Sequence, residues 1–154
     1  MQDSSESTLQ IVAFTIDGVE YAFRIEAVKE IIRYTQPQPT SSSLEWMRGV
    51  INLRGSIVPI IELGARLGRA TAAIDPKAAK ILVLEDGPST IGAVVTSVDE
   101  VRTIDAEQVQ PAPVGAGSSY IESVVTVDER LIMLLDAAEL LSLDSNAGIQ
   151  AQAA

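Results

Sequence analysis

Apolar residues occur along this chain in short runs, most of them cut off by residues that favour tight turns. Leu9–Ile16 is mostly apolar and stops at Asp17-Gly18, and Val19–Ile25 follows directly. Further on, Ile81–Leu84 stops at Asp86-Gly87, and Thr90–Val95 follows. Aspartate before glycine accepts the positive φ angles of a two-residue turn, so both stretches predict β-hairpins. Val28, Ile31 and Ile32 then mark one side of a segment that reads as one helical turn or a bent strand. Thr35–Ser43 and Gln110–Ser119 carry too many breakers for a central element and read as loops. A second hairpin follows each loop: Val50–Leu53, a turn at Arg54-Gly55-Ser56 and Ile57–Leu63, then Ser123–Val127, a turn at Asp128-Glu129-Arg130 and Leu131–Leu135. Pro59 withholds a ladder donor, which predicts a sheet edge or a bulge at that point. The last element reads as a helix, because Asp136 and Glu139 have capping spacing and Leu140, Leu141 and Leu143 supply an apolar side.

The order of these elements repeats. A shift of 70 residues lays Tyr21–Ile25 on Ile91–Val95, Val28 on Val98, Glu30 on Glu100 and Ile31 on Val101. A shift of 74 lays Pro37 and Pro39 on Pro111 and Pro113, Trp46 on Tyr120, Val50–Leu53 on Val124–Val127 and Ile57–Glu62 on Leu131–Asp136. The change of register requires a four-residue insertion, which the loop around Asp105–Gln108 absorbs. Two copies of one unit are therefore expected, about residues 9–69 and 80–143. Five short strands per unit are too few for a sandwich and enough for a small closed barrel. One barrel of that size is marginal, so two barrels packed together are expected within a single domain over 9–143, with strands free to cross between them. Residues 1–8 and 144–154 read as loose tails.

Composition narrows the chemistry. The 154 residues include no histidine and no cysteine, which removes imidazole bases, thiolate nucleophiles, disulfides and Cys/His metal sites. Aromatics are 4%, so an aliphatic core is expected. The net charge of −10 argues against nucleic acid and anionic membrane surfaces as partners. The acidity is lopsided: residues 1–77 hold 8 basic and 9 acidic side chains, residues 78–154 hold 3 and 12. Solubility explains such a balance, and so does a charged face that meets a basic partner. Met1–Thr8 lacks the form of a leader, and apolar runs such as Ile57–Ile61 and Leu131–Leu135 are far shorter than the roughly 20 residues that span a bilayer. A soluble cytoplasmic protein is expected. Asp99-Glu100 and Asp128-Glu129 are adjacent carboxylates that point apart, and Ser41–Ser43 and Ser118-Ser119 lack a base other than Lys77 or Lys80. Gly64–Gly68 matches no phosphate-binding loop, and Glu85-Asp86-Gly87 lacks the oxygen donors of a calcium loop. No enzyme, cofactor or metal is expected.

Arg54 stands out, because it sits at a hairpin tip between two strongly apolar strands. Its guanidinium fork suits a carboxylate on a partner, although a solvated turn arginine is the simpler alternative. The surrounding stretch Arg48–Leu63 reads Arg-Gly-Val-Ile-Asn-Leu-Arg-Gly-Ser-Ile-Val-Pro-Ile-Ile-Glu-Leu and closely resembles the signature of the CheW-like domain family of chemotaxis coupling proteins. Ala13–Tyr21, Ile25–Ile31, Gly92–Val101 and Tyr120–Val124 resemble further landmarks of that family in order, so the likeness covers roughly residues 10–143.

The resemblance implies two SH3-like five-stranded β-barrels and a non-enzymatic adaptor. Such an adaptor links methyl-accepting chemotaxis receptors to the regulatory domain of the histidine kinase CheA, at receptor arrays on the inner membrane. It also implies receptor-binding roles for Arg54, Val28, Glu30, Val98 and Val101, the valines lying in a groove between barrels, and a kinase contact for Gly49. Each has a structural alternative: core packing for the valines, a solvated charge for Glu30, a turn requirement for Gly49. The absence of an ATP-binding segment and of a receiver-like acidic pocket favours a stand-alone coupler over a piece of a kinase or receiver fusion. Couplers of other chemosensory pathways, such as pilus-driven motility, share these motifs. From other classes, a small-ligand-sensing β-barrel and a carboxylate enzyme are the rivals.

Overall fold

The computed structural model describes residues 8–41, 45–69, 74–112 and 120–144. The expected tails therefore fall almost wholly outside the described residues, as do Ser42, Ser43, Pro113, Ser118 and Ser119. Among the described residues, eleven strands form two sheets. They are β1 (Thr8–Ile16), β2 (Val19–Arg24), β3 (Val28–Arg33), β4 (Met47–Leu53), β5 (Ser56–Glu62), β6 (Lys80–Asp86), β7 (Ser89–Val95), β8 (Ser97–Asp105), β9 (Val109–Pro111), β10 (Ile121–Val127) and β11 (Arg130–Leu135). Two helices, α1 (Leu63–Arg66) and α2 (Ala137–Asp144), follow β5 and β11. The segment carrying Val28 and Ile31 is thus a strand, preceded by a 3-10 turn over Ile25–Ala27. The insertion near Asp105 is a second such turn, Ala106–Gln108, closed by a capping box between Asp105 and Gln108.

The sheets do not follow the repeats one for one. The first runs β8-β1-β2-β11-β10-β9 and the second β3-β6-β7-β5-β4. Each opening hairpin, β1–β2 or β6–β7, has joined the remaining strands of the other repeat. The connections explain how: a three-residue turn carries the chain from β2 into β3 of the other sheet, and Thr96 alone separates β7 from β8. Because the exchanged hairpins lie mid-sheet, both of their faces are buried. Ile11 and Ala22 enter the interior of the first sheet, and Ile81, Val83 and Val94 enter that of the second. Their other faces, with Val12, Phe14, Ile16, Tyr21, Phe23, Leu82, Leu84, Ile91, Ala93 and Val95, build a central core together with Leu140 and Leu141 of α2. Strands buried on both sides read as unbroken apolar runs, which is the pattern of Ile81–Leu84.

The architecture is all-β with short helices, two SH3-like barrels. Side chains from both edges of each sheet meet around one interior: Ile104 of β8 with Val109 of β9, and Ile32 of β3 with Ile51 and Leu53 of β4. Three expectations need correction. The first sheet has six strands; its extra member is the three-residue β9, whose counterpart in the second sheet is a single bridge between Gln38 and Val50. Pro59 lies neither at an edge nor at a bulge, because β5 sits between β7 and β4. It faces Val50, whose N–H and C=O turn away to Gln38 at 3.0 and 2.8 Å, and the ladder to β7 begins one residue later at Ile60↔Gly92. The missing donor thus falls where no ladder bond is made. Finally, the core is not purely aliphatic. The few aromatics concentrate between the sheets, where Phe14 stacks on Phe23 and Tyr21 with centroids 5.3 and 6.1 Å apart.

Candidate functional site

Arg54 occupies the β4–β5 turn with a left-handed φ of +51°, and Gly55 follows at +90°. This is the primed turn that matches strand twist, and Asn52 Oδ1 steadies it by accepting the Gly55 N–H at 2.9 Å. A non-glycine residue pays a steric penalty at such a φ. Across the open side of the second sheet, the Arg54 guanidinium donates to the Glu30 carboxylate on β3. β3 and β4 are the two ends of that sheet, so this ion pair bridges the ends that the backbone ladder leaves apart.

The other barrel repeats the contact with reversed polarity. Asp128, the 74-residue mate of Arg54, tips the β10–β11 turn at φ +50°, and its Oδ2 lies 3.9 Å from Arg102 Nη2 on edge strand β8. Arg102 also donates to Glu100, the mate of Glu30.

The hydrogen bond from Arg54 holds the Glu30 carboxyl below its ordinary value of 4.5, and the same bond raises the guanidinium. A depressed carboxyl stabilises the fold above the unfolded-state value and loses that contribution as pH falls through the folded-state value. The thermal midpoint of the protein should therefore exceed that of Glu30→Gln by a small margin near neutrality. That margin should vanish in acid below pH 4.5 and shrink with added salt. A margin that grows on acidification would refute the assignment.

Bulges decide which way the candidate valines point. On β8 the register slips between Ala13 and Phe14, so that Val98 faces Phe14 while Val101 faces Val12. Phe14 and Val12 both belong to the central core, so Val98 and Val101 share the face of β8 that looks toward the other sheet, despite their odd spacing. Val98 is half-buried against that core, whereas Val101 is 51% exposed at its rim. A matching slip on β3 puts Val28 opposite Leu84 and Ile31 opposite Leu82, again on the core side. Val28 is half-buried there and Ile31 is 39% exposed. Arg54 and Glu30 are thus brought into contact, while Val28 and the pair Val98 and Val101 occupy two equivalent rims on different sheets. Ile31 is a rim residue that motif reading passed over, although its match to Val101 in the 70-residue register pointed to it.

Gly49 is buried in β4 with φ +139°, at the bulge between Met47 and Gly49. A Cβ there would stand 2.1 Å from the Gln38 carbonyl oxygen, so the Gln38 segment crosses directly over it.

An open cavity of about 440 Å³ lies between the sheets. Arg24, Glu26, Glu85, Glu122 and Asp136 border it. Arg24 Nε pairs with Glu122 across it at 3.1 Å, while Glu85 and Asp136 are engaged outside it, with Lys29 at 3.6 Å and with the Glu139 N–H of α2 at 3.2 Å. Among the described residues no group of three or more His, Cys, Asp or Glu is placed to hold a metal ion. No helix among them is long and apolar enough to cross a membrane.

Exposed apolar residues also mark the barrel ends. Ile57 and Leu131 are mates in the 74-residue register, each is the second residue of the second strand of its closing hairpin, and each is 62% exposed. Motif reading passed over both. Paired barrels with apolar rims, apolar ends and charged turn tips define an all-β protein-interaction module.

The chain belongs to the CheW-like domain family, whose model matches residues 10–145. It is 33% identical over 141 residues to a chemotaxis protein CheW of Klebsiella aerogenes, covering 90% of this chain and 84% of that protein. A chemotaxis protein CheW of Bacillus subtilis is 28% identical over 140 residues, 89% of each. The crystal structure of the scaffolding protein TtCheW from Thermoanaerobacter tengcongensis superimposes with a TM-score of 0.78 at 27% identity, covering 82% of this chain and 88% of that one.

Proposed function

We propose that this protein is a non-enzymatic cytoplasmic scaffold that couples the cytoplasmic tips of chemoreceptors to the regulatory domain of the histidine kinase CheA. The observation that carries this reading is the pair of equivalent barrel ends, each offering an exposed apolar residue, Ile57 or Leu131, beside a charged turn tip. An apolar anchor flanked by charge is the anatomy of a protein contact, the apolar group supplying affinity and the charges register. Relatives named chemotaxis protein CheW, and a structural neighbour titled a scaffolding protein, support the same role.

In this reading the two ends dock onto the similar barrels of the kinase regulatory domain. Because they are equivalent but not identical, they permit head-to-tail contacts that extend or close an assembly. The receptor tip, a helical hairpin, lies against the rims of Val28, Val98 and Val101, where each fully buried valine contributes roughly 1.5–3 kcal/mol at most. Arg54 sets the register by exchanging Glu30 for a carboxylate on the receptor helix. Glu30 then holds the guanidinium in place until that partner arrives, and Gly49 serves kinase docking by keeping the Gln38 segment seated over β4.

Ile57→Arg and Leu131→Arg, each measured against the isolated kinase regulatory domain, test the proposal. At least one of them is expected to weaken binding by about tenfold or more with its circular dichroism unchanged. Undiminished binding by both variants would overturn it.

A further inference from the structure

Arg66 joins the two sheets through a pair of aromatic rings. Its guanidinium carbon lies 4.7 Å from the ring centroid of Trp46 and 4.6 Å from that of Tyr120. A planar, weakly hydrated cation at this distance is attracted by the quadrupole of each ring. Trp46 and Tyr120 are mates in the 74-residue register, and each is tied to its own sheet by the same backbone bond. The Glu62 N–H at the end of β5 donates to the Trp46 carbonyl at 2.8 Å, and the Asp136 N–H just after β11 donates to the Tyr120 carbonyl at 2.7 Å. One ring is thereby fixed to the second sheet and the other to the first, with a single cation between them. The position equivalent to Arg66 in the second repeat is Leu140, which is fully buried in the central core. The duplication has thus kept two aromatic anchors but one charge, and that charge serves both.

We infer that Arg66 is a positioning residue that sets the angle between the two sheets by stacking between Trp46 and Tyr120. Its functional consequence rests on the receptor-docking reading above. Val28 belongs to β3 of one sheet and Val98 and Val101 to β8 of the other, so the separation of the rims follows the angle between the sheets. A clamp of this kind lowers the ordering cost of docking a rigid helical hairpin.

The sequence contains no cysteine, so Arg33→Cys and Thr103→Cys place spin labels at exposed positions of β3 and β8 without interference. In that background Arg66→Met, which keeps side-chain bulk without charge, and Tyr120→Leu, which removes one ring, are each expected to broaden the inter-label distance distribution. Arg66→Lys, a cation without the plane, is expected to fall between Met and the parent. The same Met variant should bind a receptor helical-hairpin fragment about fivefold more weakly. A distribution as narrow as the parent's in Arg66→Met overturns the clamp; if that variant does not fold, the same result in Tyr120→Leu does. Broadening without loss of receptor affinity upholds the clamp and counts against the receptor-docking reading, so the two fail separately.

Discussion

Arg54→Glu is expected to abolish capture of a chemoreceptor helical-hairpin fragment while leaving the thermal midpoint close to that of the parent. The side chain is 65% exposed at a turn tip, so its replacement disturbs no packing. The new carboxylate faces Glu30, and solvent and salt screen a repulsion of that kind at the surface. Binding responds differently, because a receptor carboxylate that meets Arg54 would meet a like charge instead. Two companions separate charge from shape. Arg54→Lys keeps the charge but loses the two-pronged donor geometry and is expected to bind with intermediate strength. Arg54→Gly relieves the left-handed φ of +51° and is expected to raise the midpoint while still losing the receptor. Full receptor capture by Arg54→Glu, measured by pull-down at matched protein concentration, would refute the role assigned to this residue.

Gly49→Ala carries the largest expected loss of stability, about 3–5 kcal/mol, or a midpoint lower by roughly 10 °C. The added methyl group cannot share space with the Gln38 carbonyl oxygen 2.1 Å away, and the φ of +139° is itself costly for any residue with a Cβ. Relief requires lifting the Gln38 segment off β4, which breaks both of its hydrogen bonds to Val50. Kinase binding by this variant should therefore recover at temperatures where it remains folded, because the glycine acts through the fold beneath the contact. Persistent loss of binding in a fully folded Gly49→Ala protein would show instead that the bare backbone at this position is itself touched by the kinase.

Much of this is legible in the amino-acid sequence. Short apolar runs cut off by aspartate–glycine pairs place the hairpins, because turn preference and strand composition are local properties. The Asp17-Gly18 turn has φ values of +49° and +84°; in the second hairpin the turn is instead Gly87-Pro88, with Gly87 at +62°, because Asp86 ends β6 paired with Ser89. Asp136 does cap α2, as its spacing to Glu139 implied. The helix α1 was missed because four residues offer no periodicity, although the match of Glu62 to Asp136 marked the spot. The shared face of Val98 and Val101 was equally hidden: three residues apart on a regular strand they would point to opposite sides, and only the register slip beside Phe14 reconciles them.

The amino-acid sequence by itself determined the duplicated order of elements, the apolar faces, the turns and the placement of an arginine at one hairpin tip. The tertiary structure alone decided which hairpin joins which sheet, that Arg54 meets Glu30, and that Gly49 lies beneath Gln38. The physical reason is that the two repeats are alike. An opening hairpin finds nearly the same ladder partners and apolar neighbours in either copy, so local pattern cannot choose between them. The choice falls to the linkers, three residues before β3 and Thr96 before β8, which carry the chain out of one sheet and into the other.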